Sequence, residues 1–159
     1  MHGADVIDVF LQPGDYFIGD ALFRVRTLLG SCVSITLWHP RRRIGAMSHF
    51  LLPARLCAGV PDARYGDDAL GMMVAGLAAY DIRPGECIAK IFGGGDMFPG
   101  RGSERETIGQ KNGDAACALL AARAIPVVSQ CLFGAGHRQI IFDIGSGDVW
   151  SRLVEKAAI

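Results

Sequence analysis

Two apolar runs separated by a turn constrain the fold of this chain more than any other feature. The first run is CVSITLW at 32–38, and the second is RIGAMSHFLL at 43–52. Both are short and rich in apolar or β-branched residues, which is typical of buried strands. Pro40 and the arginines that follow it predict a tight connection between the runs. We therefore expect a β-hairpin that brings the start of the first run close to the end of the second.

Cys32 opens the first run of this hairpin, and His49 lies near the end of the second. A thiol beside an imidazole is the minimum set for nucleophilic attack on a carbonyl. Gly30 and Ser31 predict a tight turn before the cysteine, whose backbone N–H groups can lower a thiol pKa and hold an oxyanion. The spacing alone leaves a second interpretation open, in which Cys32 is a small buried hydrophobe and His49 a core histidine with a hydrogen-bond partner. His39, in the Trp-His-Pro turn, is expected to be solvent-exposed.

The rest of the chain alternates between strand-like and helix-like patterns. Apolar periodicity from Asp67 predicts one helix, and a second is expected within 103–123 with Ser103 as a candidate N-cap. Further strands are predicted at 6–11, 21–28, 87–92 and 125–132, followed by a terminal hairpin after FGAGH. This order indicates an α+β fold, with a single domain over 1–159 in which two main helices pack against mixed β-sheet layers.

Composition and charge argue against several classes of function. The formal net charge is +0 over 159 residues, whereas a general nucleic-acid binder carries a strong basic excess. The 5 cysteines form no Cys-x-x-Cys pair and no His-Glu-x-x-His motif is present, so we expect neither a metal site nor a disulfide framework. The Gly-rich loop at 93–96 matches no nucleotide fingerprint, and no cofactor is expected. Without a signal peptide or a long apolar stretch, we expect a cytoplasmic protein that does not insert into membranes.

Five segments along the chain carry a resemblance to a known family. The first is LLGSCVSITLWHP followed by RIGAMSHFLLP, which matches the family pattern of Leu-Gly-Ser-Cys, a strand, a turn and a downstream histidine. The others are RYGDDAL, AKIFGGGDMF, IGQKN and GHRQIIFDIGSGDVW. In these segments and their order, the chain resembles the CheD family of chemoreceptor glutamine deamidases from about residue 12 to 154.

The resemblance implies an activity and a set of residues that perform it. The activity is hydrolysis of glutamine side-chain amides on the cytoplasmic domains of bacterial chemoreceptors, which yields glutamate and ammonia. The family's cysteine is the nucleophile and its histidine the base, and these correspond to Cys32 and His49. The backbone at Gly30 and Ser31 is the expected oxyanion support.

A threonine completes the family's triad, and here the match is imperfect. The family's threonine lies six residues before the cysteine, a position that Arg26 occupies, whereas Thr27 is one residue nearer. One step along a strand turns a side chain to the opposite face. Either the strand contains a bulge or another group takes the third position, and we assign the position to Thr27.

Two other functions remain open. CheD proteins also bind CheC-type phosphatases of the chemotaxis response regulator, so the chain could serve mainly as a regulatory binding partner. Cys32 and His49 favour the enzyme over that adaptor, because an adaptor does not need them. The other alternative is a cysteine amidase that acts on small molecules.

Overall fold

Strands dominate the part of the chain that the computed structural model describes, residues 5–100 and 106–154. The strands are β1 (Ile7–Phe10), β2 (Tyr16–Gly19), β3 (Phe23–Leu29), β4 (Val33–His39), β5 (Ile44–Ser48), β6 (Ile88–Gly93), β7 (Val127–Leu132), β8 (His137–Asp143) and β9 (Val149–Val154). The two α-helices of these described ranges are α1 (Gly66–Ala78) and α2 (Ile108–Ala122). The predicted α+β class is confirmed.

The strands form two mixed sheets. One has the order β1-β3-β8-β9, and the other has the order β2-β5-β4-β6-β7. Each sheet contains one parallel pair, β1 with β3 and β6 with β7, and its other pairs are antiparallel. The predicted hairpin is β4–β5, and it forms part of the centre of the larger sheet.

The molecule has three layers, and β4 and β5 lie in the middle one. Helix α1 packs on β2 and β5, and α2 packs on β4 and β6, so both helices cover one face of the five-stranded sheet. Residues such as Leu37, Met73 and Leu120 fill the core on that side. A second core, which includes Val25 and Met47, lies between the two sheets. Because both faces of these two strands are covered, their residues are buried at nearly every position rather than at every second one.

Three local features differ from, or add to, the sequence predictions. Strand β2 was not predicted, because its four residues, Tyr16–Gly19, show no apolar–polar alternation. His39 was expected to be exposed but is only 4% exposed, with its Nδ1 accepting from Arg42 N–H at 3.1 Å. Helix α2 starts at Ile108 with Thr107 as its N-cap, and the candidate cap Ser103 lies outside the described residues.

Within residues 5–100 and 106–154, no helix is long and apolar enough to cross a membrane. In the same ranges, no three His, Cys, Asp or Glu side chains converge to hold a metal ion. The cysteines at 32, 57, 87, 117 and 131 are all free thiols.

Candidate active site

The open end of the β4–β5 hairpin carries both predicted chemical groups. Val33 and Phe50 close that end with two backbone hydrogen bonds, at 3.1 and 3.0 Å, and their side chains point toward the helices. Side chains alternate between the faces of a sheet, so Cys32 and His49 both point the other way, toward the four-stranded sheet. They lie diagonally across the ladder, an arrangement that keeps side chains within reach of each other.

The backbone of His49 is held from outside the hairpin. Its N–H donates to the carbonyl of Asp15 at 3.1 Å, and its carbonyl accepts from the N–H of Gly14 at 2.8 Å. One residue earlier, the Ser48 hydroxyl accepts from the N–H of Ile35 at 3.2 Å in place of a regular ladder bond. The segment before β2 therefore fixes His49 at the point where β4 and β5 part.

Strand β3 brings Thr27 to this site from the opposite sheet. Val25, Thr27 and Leu29 are buried and face the second core, whereas Arg26 and Leu28 are exposed. The Oγ1 atom of Thr27 lies 2.7 Å from Nδ1 of His49. The structure thus brings Thr27 to the histidine and leaves Arg26, at the family's usual spacing, on the outer face.

The hydrogen bonds of Thr27 also determine which nitrogen of His49 carries the proton. The Thr27 hydroxyl donates to the carbonyl of Leu11 at 2.8 Å. A hydroxyl has a single hydrogen, so in the 2.7 Å contact Nδ1–H of His49 must donate to Oγ1. Nε2 is then the unprotonated nitrogen of a neutral ring, with a lone pair that can accept a proton. No side-chain motif predicts this role for Leu11, because its contribution is a backbone carbonyl.

Burial favours the neutral form of both reactive groups. His49 is 2% exposed, and desolvation lowers its pKa from the usual 6.5 to about 4, partly opposed by the negative charge of Asp15. Desolvation also raises the pKa of the partly buried Cys32 thiol. Near neutral pH the pair is therefore a thiol beside a neutral imidazole. Such a pair transfers its proton during the attack instead of resting as an ion pair.

The Gly30–Ser31 turn is supported by the Gly-rich loop. Gly94 N–H donates to the carbonyl of Cys32 and Gly95 N–H donates to that of Gly30, both at 2.9 Å. In the described part of the chain, the N–H groups of Ser31 and Cys32 have no hydrogen-bond acceptor. Two neighbouring free amides of this kind can hold an oxyanion beside the thiol.

The Gly-rich loop needs glycine because it approaches the cysteine turn so closely. Gly93 and Gly94 have φ values of +114° and +66°, which side chains rarely adopt. A Cβ on Gly93 would lie 2.2 Å from the carbonyl oxygen of Cys32. The Gly-rich loop therefore supports the backbone at Cys32.

One functional candidate was missed by sequence reasoning. Asn112, in the segment IGQKN, lies in α2 and donates hydrogen bonds to the carbonyls of Ser31 and Leu51. The available signal was a polar residue on the buried face of α2, where Ala116 and Leu120 are also buried.

Comparisons with known proteins identify relatives of this chain. A family model described as CheD chemotactic sensory transduction matches residues 51–153. A protein of Albidiferax ferrireducens named probable chemoreceptor glutamine deamidase CheD 2 is 58% identical over 153 residues, which cover 93% of this chain and 88% of that protein. Because of that coverage, the similarity extends N-terminally beyond the family-model match.

Two further relatives carry the same description. A probable chemoreceptor glutamine deamidase CheD 3 of Dechloromonas aromatica is 43% identical over 149 residues, covering 92% of this chain and 88% of that protein. A probable chemoreceptor glutamine deamidase CheD of Pseudomonas savastanoi pv. phaseolicola is 42% identical over 150 residues, covering 92% of this chain and 85% of that protein. The chain therefore belongs to the CheD family.

Proposed function

We propose that this protein hydrolyses glutamine side-chain amides on the cytoplasmic domains of bacterial chemoreceptors, releasing ammonia and leaving glutamate. The observation that carries the proposal is the 2.7 Å contact between Thr27 and His49, which leaves Nε2 unprotonated on the histidine that shares a sheet face with Cys32. The names of relatives up to 58% identical support the substrate class.

In the first step His49 acts as a general base. Its Nε2 takes the proton of the Cys32 thiol while Sγ attacks the carboxamide carbon, so an S–C bond forms and the C=O electron pair moves to oxygen. The free N–H groups of Ser31 and Cys32 stabilise the resulting oxyanion. The imidazolium keeps its Nδ1–H bond to Thr27, which passes a hydrogen bond on to Leu11.

In the following steps His49 first gives its proton to the leaving nitrogen and then takes a proton from water. The C–N bond breaks, the leaving nitrogen takes the proton from Nε2 and departs as ammonia, and a Cys32 thioester remains. Nε2 then removes a proton from water, and the resulting hydroxide attacks the thioester. The C–S bond breaks, the sulfur takes the proton back from His49, and the new carboxylic acid loses its proton to solvent as glutamate is released.

Thr27 serves as a positioning residue in this mechanism. Its hydroxyl neither gains nor loses charge, since the hydrogen goes to the Leu11 carbonyl throughout. The contact fixes the tautomer and the ring plane of His49, the role that the third member has in other catalytic triads.

A receptor-based assay tests the proposal. The purified protein is incubated with a chemoreceptor cytoplasmic fragment or with free glutamine, ammonia is measured, and mass spectrometry locates the converted residues. We expect ammonia from the fragment only, and none with Cys32→Ala. Conversion by Cys32→Ala at the wild-type rate would exclude Cys32 as the nucleophile, and conversion of free glutamine alone would indicate a small-molecule amidase.

A cytoplasmic location is also proposed, and the 5 free thiols accord with it. A CheC-type phosphatase is proposed as a second partner on the family resemblance alone. A phosphatase that covers the site should protect Cys32 from alkylation in the complex. Unchanged alkylation of Cys32 in a stable complex would show that the partner binds elsewhere.

A further inference from the structure

A buried amide joins the two segments that carry the candidate nucleophile and base. Asn112 is 0% exposed in the second turn of α2. Its Nδ2 donates to the carbonyl oxygens of Ser31 at 3.0 Å and Leu51 at 2.8 Å. Both partners are acceptors only, so the orientation of the side-chain amide is unambiguous.

These two hydrogen bonds act where the pairing of the hairpin stops. Past the Val33–Phe50 pair, Leu51 N–H donates to the carbonyl of Arg64 at 2.8 Å, and the carbonyl of Cys32 accepts from Gly94. The two strands therefore turn to other partners at this end. Asn112 bridges the two strands at this end. It holds the carbonyl of Ser31, one residue before Cys32, and the carbonyl of Leu51, two residues after His49.

Helix α2 is docked closely enough to place this amide. A Cβ on Gly109 would lie 2.5 Å from the carbonyl oxygens of both Gly94 and Gly95. The start of the helix therefore rests on the same Gly-rich loop that supports the Gly30–Ser31 turn. The Gly30–Ser31 turn, the Gly-rich loop and the start of α2 therefore form one contiguous backbone unit.

The other end of the Asn112 side chain supports a dedicated role for its donors. Within the described residues, Oδ1 of Asn112 is buried and has no hydrogen-bond partner. A buried acceptor without a partner is unfavourable, so an apolar residue of similar size would be the better choice for packing alone. The two N–H donors are the feature that such a residue would lose.

We propose that Asn112 is a positioning residue that sets the separation of Cys32 from His49 by holding the carbonyls of Ser31 and Leu51 on one amide. The proposal deepens the proposed deamidase function and rests on it. Removal of the two bonds frees the turn before Cys32 and the segment after His49 to move independently. Displacements of about 1 Å at reacting groups lower rates by roughly a hundredfold.

The test compares Asn112→Leu and Asn112→Ala with Leu120→Ala. Leu120 lies two turns further along α2, is 0% exposed and belongs to the helix-side core, so its truncation destabilises the same helix. We expect either Asn112 variant to lower kcat for the receptor fragment at least about tenfold with little change in KM. We expect Leu120→Ala to keep kcat per folded molecule. The alanine variant serves if leucine prevents folding.

A second readout does not need deamidase activity. The pH dependence of Cys32 alkylation by iodoacetamide is followed by peptide mass spectrometry in all four proteins. Release of the turn hydrates the thiol, so in the Asn112 variants the midpoint should move down toward that of an ordinary cysteine, and Leu120→Ala should match the wild type.

The outcomes separate the two proposals. If the wild type is active and the Asn112 variants keep its kcat and its alkylation midpoint, Asn112 has no positioning role while the deamidase function stands. If the wild type releases no ammonia but the midpoint shifts only in the Asn112 variants, the positioning role stands and the deamidase function is wrong.

Discussion

The two faces of β4 differ in chemistry although both are buried. On the face toward the helices, Val33, Ile35 and Leu37 are apolar and 0% exposed. On the face toward the other sheet, Ser34 and Thr36 are polar and no more than 2% exposed, and Cys32 precedes them on the same face. The hydroxyl of Ser34 has no partner among the described residues.

This difference indicates a division of roles. The helix-side face contributes hydrophobic burial, which stabilises the fold without specific chemistry. The inter-sheet face accepts buried polar groups, which are unfavourable unless they are hydrogen-bonded. His49 and Thr27 meet that requirement by bonding to each other and to a backbone carbonyl. We therefore expect changes on the two faces to alter different properties.

The largest expected effect is on the inter-sheet face. Cys32→Ser should lower ammonia release from a receptor fragment by at least about a thousandfold, because a serine hydroxyl is a much weaker nucleophile beside a neutral imidazole. Its free energy of unfolding in urea should stay within about 1 kcal/mol of wild type, since the side chains are similar in size. A stable Cys32→Ser variant with wild-type activity would show that the inter-sheet face of β4 does not carry the chemistry.

The opposite result is expected on the helix side. Leu37→Ala should lower the free energy of unfolding by about 2–5 kcal/mol, because it leaves a cavity beneath the helices. Its kcat per folded molecule, measured at low temperature with the same receptor fragment, should remain close to wild type. A selective loss of kcat without loss of stability would show that the helix-side face also contributes to the chemistry.

The buried neutral His49 predicts a pH dependence of stability. Its pKa is lowered to about 4 in the folded protein, whereas the unfolded chain binds the proton near 6.5. The unfolded state therefore holds more protons between these values, and stability falls as the pH drops through this window, by up to about 3 kcal/mol. Urea unfolding at a series of pH values should show a shallower slope in His49→Gln than in the wild type.

Thr27 provides a smaller, more specific test of the inter-sheet face. Thr27→Val keeps the shape but removes the hydroxyl between Leu11 and His49, so kcat should fall roughly a hundredfold as the ring loses its orientation. Thr27→Ser should keep most of the activity. Equal activity of the valine and serine variants would mean that the hydroxyl is not needed.

The smallest effect is expected at Asp15, whose negative charge raises the pKa of His49 against the larger effect of burial. In Asp15→Asn the acid-side midpoint of kcat/KM should shift slightly to lower pH, because that profile reports the free enzyme's base. High salt should reduce the difference between the two proteins. A shift to higher pH would contradict the assignment.

The hairpin and its Cys32–His49 placement were predictable because they depend on local patterns. Strand periodicity and the position of the Pro-Arg turn determine which residues face each other along the hairpin. The six-residue spacing of the family left the third position open, and the exposure of Arg26 and burial of Thr27 in β3 support its assignment to Thr27. The alternation in that strand was visible in the sequence, but the sheet that it faces was not.

The supports of the site were not predictable because they join distant parts of the chain. Leu11 contributes a carbonyl, Gly94 and Gly95 contribute N–H groups, and Asn112 reaches across from a helix. Backbone groups leave no trace in residue type. His39 was misjudged for a related reason: its local turn is polar, yet the surrounding fold buries it beside Glu86, with Nε2 3.7 Å from the carboxylate.

The proposed mechanism depends above all on the protonation state of the His49 ring, and nitrogen-15 NMR of labelled protein measures that state directly. At neutral pH we predict a neutral ring protonated at Nδ1, with Nε2 unprotonated and titration only near pH 4. Loss of that Nδ1–H signature in Thr27→Val would link it to the threonine. A ring protonated at Nε2, or an imidazolium at neutral pH, would contradict the proposed mechanism.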